Sequence, residues 1–261
     1  KKTIMLSSSA LCRAPRCGLL RRAPSLLARC MSSMPSLTLE SALTSSHMIN
    51  SSLESPAALQ MLAAAKSSTD VAEKWQRVNT VLIQATLQAV STLGFTPDAH
   101  GFEGYTRSFA ELMRSDEARG PLQQLNEAKW TTLLKHGYGC GVAAPLTLAQ
   151  ARGIAIELVD ALQDAELMKQ LDESRTGLTS RLSNEERQGM IARILVQEQV
   201  KVLARHGFEG AEGFAQAQVC LMAHAADAVV TASVAAATQN LYSRGGIDLV
   251  AALRQAAGGA P

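Results

Sequence analysis

The sequence predicts an all-α protein built as two tandem, related helical bundles of about four to five helices each. Three observations predict it. Aromatic residues make up only 4 % of the 261 residues although 47 % are hydrophobic, so core volume must come from Leu, Val, Ile, Met and Ala, which suits closely spaced helices. Beyond Pro35, apolar residues recur at steps of three and four along most of the chain. The most regular of these stripes occurs twice, Val71 to Phe95 and Glu185 to Phe208, each ending on Gly-Phe at a spacing of 113 residues.

Residues 1–35 stand apart by charge. Through residue 36 the chain holds seven Lys and Arg and no Asp or Glu, which leaves 18 basic against 23 acidic residues in the body, a net charge of −5. A leader rich in Arg, Ser and Leu and free of acid has the composition of an organellar transit peptide, so the expected address is mitochondrial. The alternatives are a basic tail on a cytoplasmic protein, or sequence upstream of a start at Met31 or Met34. Of five cysteines, only Cys140 and Cys220 lie in the body, and two isolated cysteines make no disulfide framework.

The first unit spans 36–137. Its opening helix carries Leu39, Ala42, Leu43, Ile49 and Leu53, diluted by Ser and Asn. Ser55-Pro56 reads as an N-cap followed by proline at the first helical position, starting a short helix through Leu59, Leu62 and Ala65. Thr69 or Asp70 can cap the long helix, whose face holds Val71, Trp75, Val78, Leu82, Ala85, Ala89 and Leu93. Gly94 suits the left-handed residue that ends a helix, and Phe95 can fold back on Val90, five residues before it. A turn at Thr96-Pro97-Asp98 leads to a stripe of Phe102, Tyr105, Phe109, Leu112 and Met113. Gly120-Pro121 is expected to break that helix and to begin another, through Leu122, Leu125, Ala128 and Leu133, which stops at His136-Gly137-Tyr138.

Residues 138–145 are small and Gly-rich and read as a linker. The second unit, 146–246, opens with Thr147 and Gln150 at capping-box spacing and a helix through Leu148, Ala151, Ala155, Leu158 and Leu162. Asp164 can cap a short helix through Leu167, Met168 and Leu171. Ser183 with Glu186 opens the second long helix, which ends at Gly207-Phe208 beside Leu203. Phe214, Leu221 and Ala225, then Val230, Val234, Ala237 and Leu241, give two more helices. Residues 247–261 are a tail, with a short helix expected from Ile247 to Gln255. The shared order of elements makes a duplication the expectation, and the two long helices could pack together as an internal pseudo-dimer; a homo-oligomer is the alternative.

The segment FAELMRSDEARGP, Phe109 to Pro121, together with Leu37, Ser55-Pro56, the Gly94-Phe95 stop and Leu125, resembles the protein C-ten family, a small all-helical family of uncharacterised function. The likeness covers 36–137 and, more loosely, 146–246, where no equivalent of Ser115-Asp116-Glu117-Ala118 survives. What the resemblance implies is a compact interaction module with no catalytic residues to carry over.

The residues themselves offer little chemistry. No G-x-S-x-G elbow and no GxxxxGK[ST] phosphate loop occurs, and Gly139-Cys140-Gly141 lacks a preceding strand. The acidic body lacks a basic stripe interleaved with aromatics, which argues against a nucleic-acid partner. No stretch of ~18 apolar residues is available to span a bilayer. The expected function is therefore a non-catalytic helical adaptor or assembly subunit with a protein partner, no cofactor and no metal. Its interaction surface is expected at Ser115, Asp116, Glu117 and Arg119, with the junction between the units as the second place to look. The alternative is a small metal-dependent or thiol enzyme using Cys220, His224 and Asp227, which at i, i+4 and i+7 would share one helix face. His206 reads as a helix C-terminal group stabilised by the dipole.

Overall fold

Ten α-helices and one π-helical turn make up the secondary structure of the computed structural model, with no strand among the described residues, 37–176, 183–225 and 227–245. The basic leader and the expected tail helix over 247–255 lie outside the described residues. The first half comprises α1 (Leu39–Leu53), α2 (Pro56–Lys66), α3 (Val71–Ser91), α4 (Ala99–Leu112), α5 (Asp116–Leu133) and the π-helical turn Leu134–Tyr138. The second comprises α6 (Leu148–Leu162), α7 (Ala165–Thr176), α8 (Asn184–Arg205), α9 (Gly210–Met222) and α10 (Ala228–Arg244).

The starts are set by side chains that satisfy orphan backbone N–H groups. Ser55 accepts from Ala58, Asp70 from Glu73, and Asp164 from Glu166 and Leu167. Thr147 with Gln150 and Ser183 with Glu186 form reciprocal capping boxes. A further box, Thr38 with Ser41, starts α1. Here Ser41 takes the place of the usual Glu or Gln, so the pattern is harder to see in the sequence.

Both long helices end alike. Gly94 and Gly207 have φ of 84°, a left-handed conformation that penalises any Cβ. The Phe95 N–H reaches the Val90 carbonyl at 3.3 Å and the Phe208 N–H reaches Leu203 at 3.0 Å, while Gly94 and Gly207 bond to Ser91 and Ala204. These are two Schellman motifs, each with a buried Phe in the same cluster as the residue five before it.

Two expected boundaries shift. Pro121 does not start a helix; it lies inside α5, which begins at Asp116 after Ser115 as N-cap. Proline at this sixth position forfeits the backbone bond to the Glu117 carbonyl, and α5 continues through it. At the other end the helix continues into the π-helical turn, which contains Gly137, and stops at Gly139, with φ of 82°. Gly137 is needed for proximity, since a Cβ there would lie 2.7 Å from Val78 Cγ2.

The buried residues of the two halves correspond. On α1 they are Ala42, Ser45, Ser46, Ile49 and Leu53, and on α6, 109 residues later, Ala151, Ile154, Ala155, Leu158 and Leu162. On α3 and α8, Val78, Val90 and Phe95 match Ile191, Leu203 and Phe208 at a spacing of 113. In the first half α1 packs on α5 and α3, and α3 on α4; in the second α6 packs on α10 and α8, and α8 on α9.

The halves also share apolar contacts. Helix α9 packs on α3 and on the π-helical turn, and α3 touches α8. Ala211 and Ala215 of α9 belong to the first half's core, while Val71, Ala72 and Trp75 of α3 pack against the second half's. No helix among the described residues is long and apolar enough to cross a membrane.

Candidate functional site

The expected interaction surface is a helix corner. Ser115 is the N-cap of α5, without a side-chain capping bond, and Asp116 and Glu117 occupy the first turn, where a negative charge suits the helix dipole. Ser115, Asp116, Glu117 and Arg119 are all exposed, whereas Ala118 between them is buried against Ala42 and Leu122. Arg119 folds back across the corner: its Nε donates to the Met113 carbonyl and its terminal nitrogen to the Arg114 carbonyl, both at 3.2 Å. The other terminal nitrogen lies 3.1 Å from Asp116. Arg119 therefore fixes the corner from within. The acidic pair projects from it, with the Asp116 side chain 95 % exposed.

The second place is the junction. The presumed linker is not a free connection, because its start, Tyr138, is buried in the π-helical turn, and the rest runs against α9. Gln216 Nε2 donates to the Gly141 carbonyl at 2.8 Å, and the Cys220 thiol to the Ala144 carbonyl at 3.6 Å. His224 Nε2 lies 2.7 Å from the Leu146 carbonyl, an acceptor, so Nε2 carries a proton. Beside this row the buried Lys74 of α3 meets Glu212 of α9 at 3.4 Å, and Trp75 meets Phe214 edge-on with ring centroids 5.3 Å apart.

The electrostatics of the junction keep its two thiols and the Tyr138 hydroxyl protonated. Burial, then the Glu212 charge, pushes the Cys140 thiol up, and burial does the same at Cys220. Tyr138 is raised chiefly by burial, and among the described residues its buried hydroxyl has no hydrogen-bond partner. Neither thiol is poised as a thiolate nucleophile.

The structure does not place Cys220, His224 and Asp227 on one helix face. Helix α9 ends at Met222, His224 sits in the turn beyond it, and Asp227 is the N-cap of α10, accepting from Val229 and Val230. The cap breaks the helical register between them. Arg152 Nη2 pairs with the Asp227 carboxylate at 2.6 Å, and that hydrogen bond lowers the carboxyl's pKa from its ordinary value. Among the described residues no three His, Cys, Asp or Glu side chains are grouped to hold a metal ion. His206 is the C-cap of α8, as its position implied, and pairs with Glu157 at 3.1 Å.

Lys74 and Gln216 were not legible as junction residues. Lys74 offered one signal, an i−4 neighbour of Val78 on the apolar face, where a charge demands a partner. Gln216 offered none, because it bonds to a backbone carbonyl and no side-chain identity records that pairing. Comparison with protein-family models, curated proteins and solved structures finds no match to this chain, so its functional reading rests on the corner and the junction themselves.

Proposed function

We propose that the protein is a non-catalytic helical adaptor or assembly subunit that binds a protein partner through the α4–α5 corner. The observation that carries this reading is the corner's construction: Asp116 and Glu117 stand in solvent while Arg119 secures the backbone beneath them on two carbonyls. A charged pair on a secured backbone costs less conformational entropy on binding than one on a mobile loop, so it suits a recognition surface.

The corner belongs to a scaffold that we read as two tandem related bundles over 36–137 and 146–246, paired as an internal pseudo-dimer through α3 and α8. The matched buried positions of α1 and α6 support this. So do the twin Schellman ends. The resemblance to the protein C-ten family belongs to the same reading. Import by the basic leader, with a mitochondrial address, completes it.

Charge reversal tests the surface. In proximity labelling within the native cell, Asp116→Lys/Glu117→Lys is expected to lose the partners that the parent chain marks while keeping its helical circular dichroism. An unchanged partner set, or a parent chain recovered only as free monomer, sinks the proposal. The address is tested with a fluorescent fusion with and without residues 1–34; a cytosolic signal from both removes import.

A further inference from the structure

Residues 141–146 have the composition of a flexible connection: Gly141, Val142, Ala144 and Pro145 are exposed, and Val142 is 52 % accessible. Their backbone tells otherwise. Three consecutive donors, spaced about one helical turn apart along α9 and the turn after it, each take one carbonyl of this stretch. Ahead of it, Gly139 and Cys140 both donate to the Leu134 carbonyl; behind it, the Thr147–Gln150 capping box starts α6. Cys140 packs on the first half's core, and Ala143 and Leu146 on the second's. The stretch is thus anchored at both ends and along its length, while its side chains largely face solvent.

We infer that residues 141–146 are a strap, held by Gln216, Cys220 and His224 through its own carbonyls, which locks the two halves into one cooperative unit. Helix α9 makes this effective because it packs on α3 and on the π-helical turn as well as on α8. Once the strap is seated, α9 has one register against the first half: Lys74 meets Glu212 and Trp75 meets Phe214. An unseated strap leaves those contacts to hold alone. The consequence for an adaptor is a fixed distance between surfaces on its two halves, but the inference concerns the isolated chain and stands or falls without any partner.

Proteolysis of the full chain reads the strap directly, because cleavage of a segment tracks how often it opens. Thermolysin is expected to spare 141–147 in the parent chain and to cut it roughly ten-fold faster or more in Gln216→Ala/His224→Ala, the effect of losing two hydrogen bonds. Equal cleavage in both chains overturns the strap. A second variant, with two glycines inserted between Val142 and Ala143, keeps every α9 side chain and shifts the carbonyls out of register. It decides the question even where the substituted chain does not fold. The parent is expected to unfold in one thermal transition and the insertion variant in two; a parent with two transitions, or an insertion variant with the parent's single one, overturns the inference.

Discussion

One buried place in each half is filled in the opposite way. In the first, the buried Tyr105 of α4 donates to or accepts from Ser45 of α1 at 3.0 Å, and Ser45 also bonds to the Ala42 carbonyl. In the second, 112 residues after Tyr105 and 109 after Ser45, stand Ala217 and Ile154, both buried in one apolar cluster. The first place joins a large side chain to a small polar one, and the second holds a small and a large apolar side chain in one cluster. The lesson is that the interhelix space is filled jointly, so neither residue is interpretable without its partner.

A double-mutant cycle breaks or sharpens that comparison most strongly. Tyr105→Ala is expected to cost about 3–5 kcal/mol in urea unfolding, the range for deleting a buried aromatic side chain. Adding Ser45→Ile should return at least about 1 kcal/mol, a coupling within the range for residues in contact. Strict additivity of the two changes would mean that the halves are not equivalent there.

The glycine stops give the next largest effect. Gly94→Ala and Gly207→Ala force a Cβ into the left-handed region and should each cost roughly 1–2 kcal/mol. Equal losses in the two sharpen the equivalence; a loss at one site alone breaks it. Smaller again are the caps: Asp70→Ala and Ser183→Ala should each lower stability by ~1 kcal/mol, read from the denaturant midpoint.

Acid gives the smallest effect, and it reaches both halves, since Glu73 of the first is also held low, by the hydrogen bond from Ser68 and then by Arg77. Asp227 is held low chiefly by the hydrogen bond from Arg152, and Glu157 chiefly by that from Arg205. A carboxylate depressed in the folded state adds stability that is complete above its ordinary value, 3.8 for Asp and 4.5 for Glu, and that vanishes as pH falls through the lower folded value. Both pairs lie in the second half. Asp227→Asn is therefore expected to flatten the acid limb of the stability profile slightly and to leave it unchanged at neutral pH apart from a constant offset. A variant whose loss grows as pH falls contradicts the assignment.

The helices, the caps at Ser55, Asp70, Thr147, Asp164 and Ser183, and the twin stops were legible because each depends on residues near in sequence: a side-chain oxygen three positions from an amide, a glycine beside a phenylalanine. The α1 core was only half legible, since Ser45 and Ser46 occupy apolar positions and are buried by bonding to the Ala42 carbonyl. Pro121 misled because α5 begins five residues before it and continues through it at the loss of one backbone bond. The acidic corner was legible as exposed charge, though Arg119's hold on the preceding turn was not. The junction was least legible. Its contacts join residues about 75 or 138 apart, and three of them end on backbone oxygen.

Carbonyl oxygens belong to every residue alike, and this bears on how the stretch from Gly141 to Leu146 can change over time. Connecting loops ordinarily vary in both identity and length. Here mutation can replace exposed residues freely, because α9 recognises none of their side chains, whereas each added or lost residue moves a carbonyl away from its donor. Among descendants of this chain Gly141, Val142, Ala144 and Pro145 should drift in letters, Ala143 and Leu146 should stay apolar, and the segment should show almost no gaps.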